Sequence, residues 1–188
     1  MNDNTEVNGQ TILSILNGLG VARTLGNRIL ADNSILDPQP NHWYPAQSFL
    51  DAFKLIKEKI GTATLFKIGK EIIDSADFPP NISDIFSGLA SIDIAYHMNH
   101  RINGTVLFNP ETGQMLEGIG NYLYTKHSDN IITIACDNPY PCDFDKGIIT
   151  AMANRFRPEN SLDIKIEHND SEGCRKKGDK KCVYTISW

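Results

Sequence analysis

The 188-residue chain has little that would mark a membrane protein, a secreted protein or a self-sufficient enzyme. No apolar run approaches the ~20 residues needed to cross a bilayer. The opening "MNDNTEVNGQ" is polar and does not read as a signal peptide. These absences point to the cytoplasm, with no membrane partner. A net charge of −5 argues against nucleic acid as the main partner. There is no Gly-rich phosphate loop, no serine in a nucleophile elbow, and no general base beside an obvious nucleophile. "GIGNY" lacks the strand-and-helix context of a dinucleotide site. An enzyme is therefore the less favoured class. Cysteine is scarce: Cys136, Cys142, Cys174 and Cys182, all in the last third. In a cytosolic chain such cysteines mean metal or packing more often than disulfides.

Apolar spacing organises what is present. Residues 1–10 read as a disordered tail and 11–188 as one domain, helical over 11–103 and sheet-rich over 104–188. In "TILSILNGLG", Ile12, Ile15, Leu16 and Leu19 share one helix face, with Thr11 as N-cap and Gly18 or Gly20 as the stop. "DNSILDPQPNHWYP" is a connecting loop. Pro45 suits a first helical turn, and Phe49, Phe53, Ile56 and Ile60 follow at helical spacing. Gly61 breaks that helix. Thr62 caps the next, with Leu65, Ile68 and Ile72 inward. "DFPPN" ends it, because prolines cannot continue a helix. Asn81 is the expected cap of a helix carrying Ile85, Leu89, Ile92 and Tyr96.

After Asn103-Gly104 the period changes to that of strands. "TVLFN" and "QMLEGI" flank "PETG" as a hairpin, and "NYLYTK" and "IITIAC" continue the pattern. "DFDKGIITAMANRF" reads as a helix with Phe144, Ile148 and Ala151 on one face. "LDIKIEH" and "CVYTISW" alternate as strands. The implied fold is α+β, an antiparallel sheet of about five strands with helices packed on one face.

Three stretches carry candidate chemistry. "AYHMNHR" places Tyr96, His97, His100 and Arg101 at a helix end. One reading puts them on a ligand pocket, holding an anionic or aromatic molecule or a haem iron. The other makes His97, His100 and Arg101 cations that satisfy the helix dipole, with Tyr96 in the core. "DNPYPCDFDKG" brings Cys142 to a helix start, with Asp143 and Asp145 as capping residues. "RKKGDKK", between Cys174 and Cys182, reads as a solvated turn. Metal binding and plain packing both stay open for the cysteines.

The layout, with "EKIGTATLFKIGKEI" early and Cys174, Gly178-Asp179, Cys182 and "VYTISW" at the end, resembles the 4-vinyl-reductase-type domain. That family shares its fold with the TRAPP vesicle-tethering subunits. The resemblance covers roughly residues 45–188. It implies a structural zinc held by Cys142, Cys174 and Cys182. Ser171 stands where the family has an acidic ligand, and neighbouring Glu172 is the expected fourth. It also implies a cytoplasmic sensory domain that binds a small hydrophobic, aromatic or tetrapyrrole ligand. Such a domain would act through a homodimer or a signalling partner. A haem-based sensor, a tetrapyrrole-related reductase and a non-catalytic scaffold are the alternatives.

Overall fold

The computed structural model describes residues 4–188. The chain runs β1 (Thr5–Asn8), α1 (Gly9–Gly18), α2 (Arg23–Asp32), β2 (Trp43–Pro45), α3 (Ala46–Ile60), α4 (Thr62–Asp74) and α5 (Ile85–Met98). Then come β3 (His100–Ile102), β4 (Thr105–Val106), β5 (Phe108–Asn109), β6 (Gln114–Met115), β7 (Tyr122–Ser128) and β8 (Ile131–Cys136). The chain closes with α6 (Cys142–Arg155), β9 (Lys165–His168) and β10 (Cys182–Ser187). No described helix is long and apolar enough to cross a membrane.

The α+β class and the antiparallel pairing are as expected, but the sheet is not a single one. Strands β2-β1-β3-β4 form one four-stranded sheet and β7-β8-β10-β9 another, with β5-β6 as a separate ribbon. The ribbon is the hairpin expected around "PETG", pairing Phe108 with Met115. The unexpected sheet follows from the chain start. Residues 5–10 are not a disordered tail: Thr5 and Val7 are buried, and β1 pairs with both β2 and β3. Residues 1–3 of that expected tail lie outside the described residues. A four-residue strand gives too short an alternation to be seen in a polar stretch.

Several helix starts also differ. Asn8, not Thr11, caps α1, its side chain accepting from the Gln10 N–H at 2.8 Å. Thr62 lies inside α4, which Gly61 precedes without a side-chain cap. Asp84, not Asn81, caps α5, because Asp84 and Ser87 close a reciprocal capping box. "LDIKIEH" is a strand only from Lys165, and Leu162 is fully exposed.

The core lies where α6 is enclosed. Its Phe144, Ile148, Ile149 and Met152 are all buried. The helix packs on α4 and α5 and also meets β9 and β10. The α4–α6 crossing is backbone against backbone. A Cβ on Gly69 would overlap the Phe144 carbonyl oxygen, and one on Gly147 would overlap that of Phe66. Only hydrogen side chains permit this approach. Gly147→Ala is therefore expected to lower stability by about 2–3 kcal/mol, read as a reduced urea midpoint. An unchanged midpoint would contradict the close crossing.

Candidate functional site

A cavity of about 360 Å³ opens between α4, α5, α6, β7 and the loop before α6. Its wall is mainly apolar, with Ile92, Phe144 and Ile148 among the lining residues. Three tyrosines and one histidine, Tyr96, Tyr122, Tyr140 and His100, supply polar atoms. No lysine or arginine is among the described residues that line it. Arg155 lies just outside the lining. Its guanidinium lies 4.6 Å over the Phe78 ring and donates to the Ile73 carbonyl at 3.0 Å, and both residues line the cavity.

His100 is the most constrained group on this wall. Its Nδ1 lies 2.7 Å from the Tyr96 carbonyl oxygen, which can only accept, so Nδ1 carries the proton. The lone pair is then on Nε2, where it accepts from the Tyr140 hydroxyl at 2.7 Å. Burial holds the ring neutral, pushing its pKa down to about 4. Burial also raises the Tyr140 pKa, so that hydroxyl stays a donor. The Tyr96 hydroxyl donates to the Ile119 carbonyl at 2.8 Å.

The other two residues of the expected ligand group lie elsewhere. His97 is fully buried but does not line the cavity. Its Nδ1 lies 2.8 Å from the Asp93 carbonyl oxygen, while Nε2 has no partner among the described residues. Arg101 belongs to β3. It makes a two-pronged bond to Glu6 at 2.6 and 2.9 Å and stacks over Trp43 at 4.9 Å.

Behind Tyr122 is a buried polar network. The Tyr122 hydroxyl donates to Asp145 at 2.6 Å, and Asp145 pairs with Arg175. Arg175 also donates to the Asn138 side chain at 2.7 Å and to Cys182 Sγ from its backbone N–H and Nε, at 3.4 and 3.5 Å. Sequence pattern missed both partners. Asp145 looked like a helix-start carboxylate, yet it is completely buried. Arg175 reads from sequence as part of a solvated basic turn, yet it is the lysines of that turn that lie outward, with Lys176 and Lys177 bonded to Asp143 and Asp170. Asp143 does not cap α6, whose N-cap is Pro141 with no side-chain bond.

The cysteines of that turn do meet Cys142. Its Sγ is 3.1 Å from Cys182 Sγ and 3.9 Å from Cys174 Sγ, and all three are buried. Glu172 is exposed and stands outside the group, its carboxylate accepting from Asn169 at 3.3 Å. Cys136 faces Cys182 in the strand register but does not join the three.

The architecture is the H-NOX fold. No family model matches the sequence, and no curated protein matches it. Solved structures do. The S. oneidensis H-NOX protein in the Fe(II)NO state superposes with a TM-score of 0.66 at 12% identity, covering 96% of this chain and 98% of that one. A mutant of T. tengcongensis H-NOX gives 0.64 at 14% identity, covering 94% of each. An unliganded Fe(II) mutant of the K. algicida H-NOX protein gives 0.58 at 14%, covering 96% and 95%. These likenesses overturn the 4-vinyl-reductase and TRAPP resemblance, and the zinc it implied loses its support. That resemblance rested on a local motif, two cysteines around a turn before a last strand. Such a motif says nothing of the pairing of β1, β2 and β3.

Burial pushes the Asp145 carboxyl up to about 6, against the pull of Arg175, Tyr122 and Asn138. An unfolded aspartate titrates near ~3.9. The folded state thus holds the proton longer, and this group's contribution to stability falls as pH rises from about 4 to about 6. Removing Arg175 deletes the largest opposing influence, so the folded pKa rises further. Arg175→Ala is expected to cost about 3–5 kcal/mol at pH 7 and to recover part of it at pH 5, read from urea midpoints. An equal loss at both pH values would contradict the buried pair.

Proposed function

We propose that this chain is a sensory domain that would hold a haem in the cavity, with His100 as the residue that would bind its iron. The observation that carries the reading is the state of His100. It is buried on the cavity wall, it is neutral, and its Nδ1–H is anchored to a carbonyl. A metal-ligating histidine has this arrangement, one nitrogen fixed by an outer partner and the other presenting its lone pair. The fold supports the reading, because the similar S. oneidensis protein was solved with NO on Fe(II).

The chain's residues fit a haem in donor type. The apolar wall suits the macrocycle, and Arg155, which touches the lining residues Phe78 and Ile73, suits a carboxylate. Bound haem supplies an iron that takes a small diatomic ligand. The protein's part is to orient His100 through the Tyr96 carbonyl and to exclude water with Ile92, Phe144 and Ile148. Tyr140 must first turn its hydroxyl away from Nε2, which makes it the residue that responds to occupancy. In this reading the response passes to a partner protein.

A second reading is an uncharged aromatic or apolar ligand without metal. It is favoured by one observation: Tyr140 already satisfies Nε2, so the imidazole needs no iron. Titration of the full chain with hemin separates the two. The haem reading expects a Soret band saturating at one haem per chain. It also expects tighter binding in Tyr140→Phe, where the competing hydroxyl is gone. A chain that gains no Soret band and instead binds a neutral aromatic probe in the cavity would support the second reading and defeat the first.

A further inference from the structure

A second cavity, of about 330 Å³, has Tyr140 as a wall in common with the first. Its lining differs in kind. Lys54, Lys57, Arg175 and Lys176 all border it, and no aspartate or glutamate is among its described lining residues. The chain as a whole carries a net charge of −5. Four cations around one cavity are therefore a local concentration against the general balance.

Helical spacing builds one side of it. Leu50, Phe53, Lys54 and Lys57 stand at i, i+3, i+4 and i+7 on α3, which is one face of a helix. The loop from Asn138 to Pro141, the start of α6 and the turn that carries Arg175 and Lys176 complete the wall. The loop is held in place. The buried Asn138 side-chain oxygen accepts from the Tyr140 N–H at 2.9 Å and from Arg175 at 2.7 Å. The Tyr140 ring meets Phe53 edge-on at 5.8 Å.

The four cations are not equally free. Arg175 pairs with Asp145, and Lys176 with Asp143 at 2.8 Å. Lys54 and Lys57 are exposed, and none of the ion pairs among the described residues includes either. Two uncompensated positive charges thus border a recess whose floor is apolar, from Leu50, Phe53, Pro139 and Pro141. A ligand with two negative charges on an apolar body matches both features. A phosphate monoester carries about −1.5 to −2 at pH 7, and lysine holds phosphate as a point charge. A carboxylate brings one charge only.

We propose that this cavity is a binding site for the phosphate monoester of a small aromatic or apolar molecule. Lys54 and Lys57 hold the phosphate, and Leu50, Phe53, Pro139 and Pro141 take the body. Lys176 adds to the positive field, and Arg175 fixes the loop rather than the ligand. Apart from Tyr140, none of these residues serves the haem reading.

The test is a titration of the full-length chain, without hemin, with phenyl phosphate, inorganic phosphate, benzoate and phenol in turn. Calorimetry gives the affinities, and two-dimensional NMR of the backbone amides gives the place. Phenyl phosphate is expected to bind once per chain, at least about tenfold tighter than each of the other three. It should shift the amides of α3 and of the loop from Asn138 to Cys142. Lys54→Gln and Lys57→Gln should each weaken binding by about threefold and together by about tenfold. Lys67→Gln, on α4 and outside the cavity lining, should not. The amide shifts are read on the unaltered chain and decide the matter even if a variant misfolds. No saturable binding of phenyl phosphate would overturn the proposal. So would inorganic phosphate, benzoate or phenol bound as tightly, shifts confined to other elements, or an unchanged affinity in the double variant.

Discussion

The buried pair of Asp145 and Arg175 ties the last turn of the chain to α6. Asp145 is on α6, the helix enclosed between the other layers, and Arg175 is on the turn that precedes the last strand. An unpaired charge at either position would be strongly unfavourable, so the turn must fold back onto α6. Two consequences follow. The Tyr122 hydroxyl gains a carboxylate partner, which fixes one wall of the cavity. Cys174 and Cys182 are carried to Cys142, which makes the thiol group. The sheet reinforces both, since Tyr122, Cys136 and Cys182 lie in one row across β7, β8 and β10.

The cavity depends on a second constraint, the glycine contact between α4 and α6. Gly69 and Gly147 let the two helices approach at backbone distance at one level. The same two helices contribute Ile72, Ile73, Ile148 and Met152 to the cavity lining.

Much of the helical half was legible from spacing. Phe49, Phe53 and Ile56 are buried on α3, and Leu65 and Ile68 on α4, because a 3,4 repeat leaves no choice of face. The strands from Tyr122 onward were legible from alternation. What could not be read was set by contacts distant in sequence. β1 is a strand because β2 and β3 flank it, not because of "TEVN" itself. His100 and Tyr140 are 40 positions apart, and nothing local announces that their side chains meet. Arg175 was hidden in a run of lysines, although only it is aimed inward. The cysteine spacing was visible, but a spacing shared with another family suggested the wrong fold.

The central claim is that the cavity presents His100 to an iron, and imidazole rescue tests it most directly. The chain is prepared as His100→Gly, loaded with haem, reduced, and probed for the iron–histidine stretch by resonance Raman. The account predicts that the stretch seen in the unaltered chain disappears and that added imidazole restores an iron–imidazole mode. A stretch that persists unchanged in His100→Gly would contradict it, and would place the axial donor elsewhere in the fold.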